Sequence, residues 1–254
     1  MASKVLAVFL PLPQNKIAVH MGIILNIETA TQVCSVALSK EGQQLALREL
    51  NEKNIHAEIL TAFIAEVMEE AQLQLQDLDA VAVSMGPGSY TGLRIGVSTV
   101  KGLCYSLDKP MIGISTLQAM AQYAAMELKD EIKENSLLVP MIDARRMEVY
   151  TALYRPNLEI MGEIAPHIFS GESFLEESKT YELLLTGDGS RKSMESFHER
   201  KNIKIFPDIL SSAKGMMSLS EKKWQEQDFE DLAYSEPFYL KEFVAGIPRV
   251  KGLR

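Results

Sequence analysis

Cysteine is nearly absent: Cys34 and Cys104 are the two in a chain of 254 residues, and both stand in apolar stretches. They are too few for a disulfide framework and read as small core residues, which suits a reducing compartment and a cytoplasmic location. Histidine is scarce and scattered. His20, His56, His167 and His198 form no HExxH or similar pair, so a metalloprotease has no ligand set to start from. Long basic runs are missing as well, the tail Arg249–Arg254 being the nearest approach, and the formal net charge is −8. This chain alone is therefore not the main grip on a nucleic acid, because phosphate binding needs clustered Lys and Arg. No stretch reaches the roughly 18 apolar residues of a membrane span. Val5–Leu10 after Lys4 resembles a very short signal sequence, but Pro11 and Pro13 interrupt it and no small-x-small cleavage site follows. Residues 1–20 are expected to lie upstream of the natural start or to form a loose extension, with the regular pattern beginning at Ile23.

What remains is an ordinary globular composition, 46% hydrophobic and 24% charged, enough for one large domain or two smaller ones. The most distinctive stretch is Ser84-Met-Gly-Pro-Gly-Ser-Tyr-Thr-Gly-Leu-Arg-Ile-Gly96. An apolar run, Ala80–Ser84, leads in, and a helical pattern leaves from Leu93. Gly86 and Gly88 can take positive φ and Pro87 fixes its own, so the backbone turns sharply between a strand and a helix. Ser89 and Thr91 stand where hydroxyls cap free N–H groups. Together they predict either a donor-rich concavity suited to an anion or a tight strand-to-helix connection that holds no ligand and sets the start and angle of the helix at 92–107. The run is neither a Walker loop nor a GxGxxG fingerprint.

In chain order, strands are expected at 23–27, 33–38 and 45–50, then a helix over Asn54–Ala71, where Ile55, Ile59, Leu60, Phe63, Ile64, Val67 and Met68 recur at helical spacing. Strand 80–84, the glycine loop, helix 92–107, strand 110–114 and a helix N-capped by Ser115 follow. Three antiparallel strands and then strands alternating with helices are the order of a ribonuclease-H-like half. The pattern then repeats: Asn26–Leu38 aligns without gaps on Met141–Leu153 at a constant offset of 115 residues, Glu28 falling on Asp143. A third strand at 158–164 and the turn Gly187-Asp-Gly-Ser190 continue the repeat, and a last helix is expected near Met216–Gln225, before Phe238-Tyr-Leu240. The expectation is an α/β protein of two repeated ribonuclease-H-like halves, 21–130 and 131–254, with the architecture of the actin-like, sugar-kinase and Hsp70 superfamily.

The residues Ile27-Glu-Thr-Ala-Thr31, Gly86–Arg94 and Gly113-Ile-Ser-Thr-Leu117, with the match running on to Tyr239-Leu-Lys241, resemble the bacterial TsaB (YeaZ) family of tRNA threonylcarbamoyladenosine biosynthesis subunits. The resemblance implies a largely non-catalytic partner of a TsaD subunit. With the ATPase TsaE, they transfer threonylcarbamoyl to the adenosine beside the anticodon. It further implies homodimers when the partner is absent, tRNA reached only through the complex, and no cofactor of its own beyond ATP or ADP at the junction with its partners. The loop residues Gly86, Gly88, Ser89, Thr91 and Arg94 would then meet a shared nucleotide or a partner. The catalytic relative carries two metal-ligating histidines where this chain has Thr116 and Met120, and neither replaces imidazole, so no metal is expected. Glu28 stands where the family pattern has aspartate. It is a methylene too long for a magnesium-fitted carboxylate, which weakens independent ATP hydrolysis.

Two further expectations concern helices. Arg94 lies in a first helical turn, where a cation opposes the dipole, and is expected to meet a carboxylate, phosphate or partner, the other reading being a surface arginine over the loop. The helices at 54–71 and 92–107 are apolar over more than one stripe, and Gly92, Gly96 and Gly102 permit close approach. Packing of the two helices on their own sheet and on each other explains most of these apolar residues; the surplus width makes Ile64, Val67, Met68, Ile95, Thr99 and Gly102 the expected partner interface, with charges at Ile64, Met68 or Ile95 blocking a partner while the fold survives. His56 opens the first of these helices as a solvated or capping residue, or a functional one. The alternative to the scaffold reading is a free-standing sugar-kinase-like phosphotransferase with Glu28 and Asp143 as metal-side acids.

Overall fold

The computed structural model describes residues 22–197 and 199–241; the expectations for 1–20, His20, His198 and the basic tail lie outside them. Strands β1 (Ile23–Glu28), β2 (Val33–Lys40), β3 (Gln43–Asn51), β4 (Ala80–Gly86) and β5 (Met111–Ser115) form one sheet in the order β3-β2-β1-β4-β5. Strands β6 (Ser136–Asp143), β7 (Glu148–Tyr154), β8 (Ile160–Ile168), β9 (Glu182–Thr186) and β10 (Ile203–Phe206) form the other, β8-β7-β6-β9-β10. The two orders are the same. In each, a three-stranded antiparallel ribbon is extended by two parallel strands. The duplicated α/β fold expected from the repeat is present, with Glu28 and Asp143 ending the equivalent strands β1 and β6. The central strands are buried on both faces, which is why β1, β4 and β9 read as apolar runs rather than as alternation.

The halves differ in what covers them. Helices α1 (His56–Glu70) and α2 (Tyr90–Leu107) lie on one face of the first sheet, sealing a core of Leu25, Ile27, Val81, Val83, Leu60 and Val97. Among the described residues the equivalent positions on the second sheet hold α4 (Glu177–Thr180) and a 3-10 turn, Asp188–Ser193, that runs into α5 (Met194–Phe197), against the fifteen residues of α1 and eighteen of α2. Phe169, Phe174 and Phe197 fill that thinner layer. The remaining helices are exchanged between halves. α3 (Thr116–Glu127) packs Leu117, Met120 and Ala124 on the second sheet, while α6 (Met217–Glu226) and the 3-10 turn before it return to the first sheet against Ile24, Ala82 and Ile114. Gly215 marks the junction, since a Cβ there would sit 2.1 Å from the Ala119 carbonyl.

Boundaries moved by a few residues for local reasons. α1 starts at His56 rather than Asn54, because Asn54 is left-handed at φ 63°. β8 runs Ile160–Ile168 rather than 158–164, because Leu158 turns the hairpin at φ 66°. The expected partner face needs a larger correction. Ile64, Val67 and Met68 are 6%, 0% and 5% exposed and belong to the core under α1. The surplus apolar width of α1 is consumed by β2, β3 and the flank of α2, so a charge at Ile64 or Met68 attacks the fold itself. Ile95 and Thr99 are half-buried, and of that set only Gly102 is open to solvent. His56 is buried too, its Nε2 3.3 Å from the Val33 carbonyl oxygen.

Candidate functional site: the glycine loop and the cleft

The loop that follows β4 does turn sharply, at Gly86 with φ 113° and through a cis Gly86–Pro87 bond. Ser89 is the N-cap of α2 and accepts from Gly92 N at 3.3 Å. Thr91 is one residue inside the helix and solvent-exposed, so it caps nothing. The expected anion cradle is filled by the chain's own backbone. Ser89 N donates to the Ala30 carbonyl at 2.6 Å and Gly86 N to Thr116 Oγ1 at 3.1 Å. A Cβ at Gly88 would meet Ala30 O at 2.3 Å, and one at Gly86 would meet Phe238 O at 2.5 Å. The glycines here admit the β1–β2 turn and the C-terminal segment, not a ligand. Thr116 and Met120, where no metal is expected, have structural roles: Thr116 anchors the loop and Met120 fills the core under α3.

Glu28 closes this nest from below. It is completely buried, its Oε1 accepting from Ala30 N at 2.6 Å and from Ser84 Oγ at 3.0 Å, while Oε2 has no partner. Burial lifts the carboxyl from its ordinary 4.5 to about 7, the Ala30 N–H and Ser84 hydroxyl pulling the other way. The folded state thus holds the proton more tightly than the unfolded chain. This contribution is fully favourable below pH 4.5 and is lost as pH rises towards 7. The total is bounded at about 3 kcal/mol, from roughly 1.4 kcal/mol per pH unit over that window. Glu28→Gln should remove the dependence: measured by urea unfolding, its stability relative to the parent should rise by up to about 3 kcal/mol between pH 4.5 and 8. A constant difference across that range would disprove the account.

The C-terminal segment crosses the loop. Glu230 pairs with Met111 at the edge of β5, and Phe238 N donates to Met85 O at 2.6 Å. Tyr239 then packs on Tyr90 with ring centroids 4.9 Å apart. The Arg94 guanidinium lies 4.1 Å from the centre of the Tyr90 ring and hydrogen-bonds Tyr239, which raises its pKa further. The expected carboxylate or phosphate for Arg94 is thus replaced, among the described residues, by two tyrosines. Lys241 finally reaches the second half, bonding Glu148 and lying over the Tyr150 ring. Sequence reasoning noted Phe238-Tyr-Leu240 but gave it no role; a pair of aromatics beside a lysine was the only signal.

Between the halves lies a cavity of about 230 Å³, lined by Thr31, Gln32 and Asn51 from the first and Asp188, Arg191 and Ser211 from the second. The Thr31 and Ser211 hydroxyls close it at 2.5 Å. On the second side Asp188, raised in pKa mainly by burial, accepts from Asp143 N at 3.1 Å, and Lys192 neutralises Asp143 at 2.7 Å. These residues do not fit a metal-bound nucleotide: the first acid is sealed under the loop and the second is held by a lysine. The described residues contain no group of three metal-capable side chains.

Comparison with known proteins gives this geometry a family. Residues 49–245 match the family model for TsaD, tRNA N6-adenosine threonylcarbamoyltransferase. The tRNA threonylcarbamoyladenosine biosynthesis protein TsaB of Haemophilus influenzae is 32% identical over 87% of this chain and 94% of its own length. The chain belongs to the TsaB family. The Escherichia coli TsaB is 30% identical over 87% of the chain and 96% of its length. YeaZ from Pseudomonas aeruginosa superimposes with a TM-score of 0.71 at 26% identity, covering 87% of this chain and all of that one. At the end of β1 in this chain, Glu28 is a carboxyl turned into the core, with burial raising its pKa to about 7.

Proposed function

We propose that the chain serves tRNA threonylcarbamoyladenosine biosynthesis as a non-catalytic partner of a TsaD-like subunit. The observation that carries this reading is the asymmetry of the duplication. Among the described residues only the first sheet is covered by two long helices, and their exposed positions include small side chains, Ala57, Ala62 and Ala65 on α1 and Ser98 and Gly102 on α2, between glutamates on α1 and beside Tyr105 on α2. Small residues let a second helix pair approach closely, while the acids of the cleft are buried or neutralised. The same face would serve a second copy when the partner is absent. A TsaE-like ATPase and any ATP or ADP belong at the subunit junction, where Ser89 at the loop's end and Thr91 and Arg94 at the start of α2 are exposed. The phosphotransferase alternative required Glu28 and Asp143 to face a metal, and their burial and pairing count against it.

Cells depleted of this protein should lose threonylcarbamoyladenosine from ANN-reading tRNAs, read by mass spectrometry of digested tRNA; normal levels would sink the assignment. Ala62→Arg is expected to cut co-purification of the TsaD-like subunit at least tenfold with an unchanged melting curve, because the position is exposed in the isolated chain. An unchanged yield of partner would move the interface elsewhere.

A further inference from the structure

The C-terminal segment does more than brace the loop: it joins two sets of cations that the fold would otherwise keep apart. From the first half come Arg94 and Tyr90. From the segment come Tyr239, packed on Tyr90, and Lys241, which lies over Tyr150 of the second half. Beyond Tyr150 stands the β6–β7 turn, whose Arg145 and Arg146 are exposed and carry no ion pair among the described residues. Lys192 lies beside that turn, donating to the Glu148 carbonyl at 2.7 Å. The acids in this tract are answered locally, Asp143 by Lys192 and Glu148 by Lys241. Arg94, Arg145 and Arg146 therefore remain as uncompensated positive charge on a chain whose net charge is −8.

The local backbone agrees. Arg145 and Arg146 are consecutive left-handed residues, φ 71° and 49°, held by Arg145 N bonding Asp143 Oδ1 at 2.6 Å. Glycine or asparagine takes that conformation more cheaply, so two arginines there present their side chains outward at a conformational expense. We propose that this tract, from Arg94 over Tyr90, Tyr239 and Lys241 to Arg145 and Arg146, is a contact surface for the RNA backbone and unstacked bases. The inference rests on the proposed role in tRNA modification and deepens it: the chain touches the RNA itself as well as the partner.

RNA is favoured over an acidic protein because cations alternate with rings. Guanidinium planes and tyrosine faces stack on bases while Lys and Arg meet phosphates, and an acidic peptide uses only the charges. A tract of few cations on an acidic protein binds weakly by itself and contributes when a partner supplies the rest, as the absence of basic runs requires.

The test is filter binding of the full-length purified chain to an unmodified transcript of an ANN-reading tRNA at several salt concentrations. Arg145→Glu with Arg146→Glu is expected to lower affinity at least tenfold at about 100 mM salt and to reduce the salt slope by about two. Tyr239→Ala should weaken binding severalfold with little change in slope, since it removes stacking and not charge. Lys179→Glu with Lys201→Glu is the control: both precede strands β9 and β10, at the opposite end of the sheet from Lys192, and should bind as the parent does. Unchanged binding by the arginine variant, an equal loss in the control, or competition by polyglutamate as strong as by RNA would each overturn the inference. Measuring modification in depleted cells separates the two claims. Cells that keep threonylcarbamoyladenosine without this chain refute the proposed function whatever the binding shows. Cells that lose it and recover fully with the arginine variant refute the RNA contact alone.

Discussion

Aspartate at Met68 is expected to unfold the first half of the molecule rather than to release a partner. The side chain is 5% exposed and sits among Leu60, Ile64, Val67 and the strand residues Leu38 and Val36. A carboxylate placed there would lose its water and gain no cation. The nearby guanidinium of Arg48 is already held at 2.6 Å by both Glu66 and Glu70 on the outer edge of α1. An unpaired buried charge, together with the lost packing of the thioether, belongs to the small class of substitutions that cost more than about 4 kcal/mol, a large part of a domain's whole stability. The expected result is insoluble or unfolded protein, or a urea midpoint shifted far below the parent's. A folded variant with the parent's midpoint and no affinity for the TsaD-like subunit would restore Met68 to the interface.

This case shows which part of α1 could be read in advance. Helical spacing of Ile59, Leu60, Phe63, Ile64, Val67 and Met68 located the helix to within two residues. The same spacing says how wide the apolar face is but not what covers it, and β2, β3 and α2 together cover nearly all of it. The duplication was legible for a sturdier reason: strand, acid, turn, strand recurs with the register that both sheets then adopt. Ser89 and Ser115 were legible as caps because capping is a local matter of one hydroxyl and an N–H three residues on.

The exchanged helices and the C-terminal segment were not legible. α3 and α6 carry apolar faces that would suit either sheet, and only tertiary packing decides which. Residues 228–241 have no periodicity to read. Their backbone joins the rest of the fold by single bonds to Met111 and Met85, more than a hundred residues earlier, and their side chains by contacts such as Tyr239 on Tyr90 and Lys241 on Glu148. The glycine loop lies between these extremes. Its sequence announces that something approaches the backbone closely, and it is silent on whether that is a ligand or the chain itself.

Two alanine substitutions in one helix make that point measurable. Gly92→Ala is expected to destabilise the protein by about 3–5 kcal/mol, and Gly102→Ala to stabilise it by about 0.5–1 kcal/mol, although both replace a helical glycine. The helix-propensity gain is the same at each site. What differs is the space. A Cβ at Gly92 would lie 2.1 Å from the Thr29 carbonyl oxygen, and that oxygen belongs to backbone pinned on one side by the Thr29–Gly92 bond at 2.8 Å and on the other by the Glu28–Ala30 contact. Relief would require α2 to lift off the β1–β2 turn, breaking the Ser89 N to Ala30 bond and leaving buried groups unpaired. At Gly102 nothing stands within 4 Å and the position is exposed, so alanine restricts the unfolded chain at no native expense. Urea unfolding of both variants should give midpoints displaced in opposite directions from the parent. If Gly92→Ala were as stable as Gly102→Ala, the tight seat of α2 on the turn after β1 would be wrong, and the loop would be free to hold a ligand after all. If Gly102→Ala gained stability and also lost affinity for the TsaD-like subunit, the open glycine would mark where a partner helix comes closest.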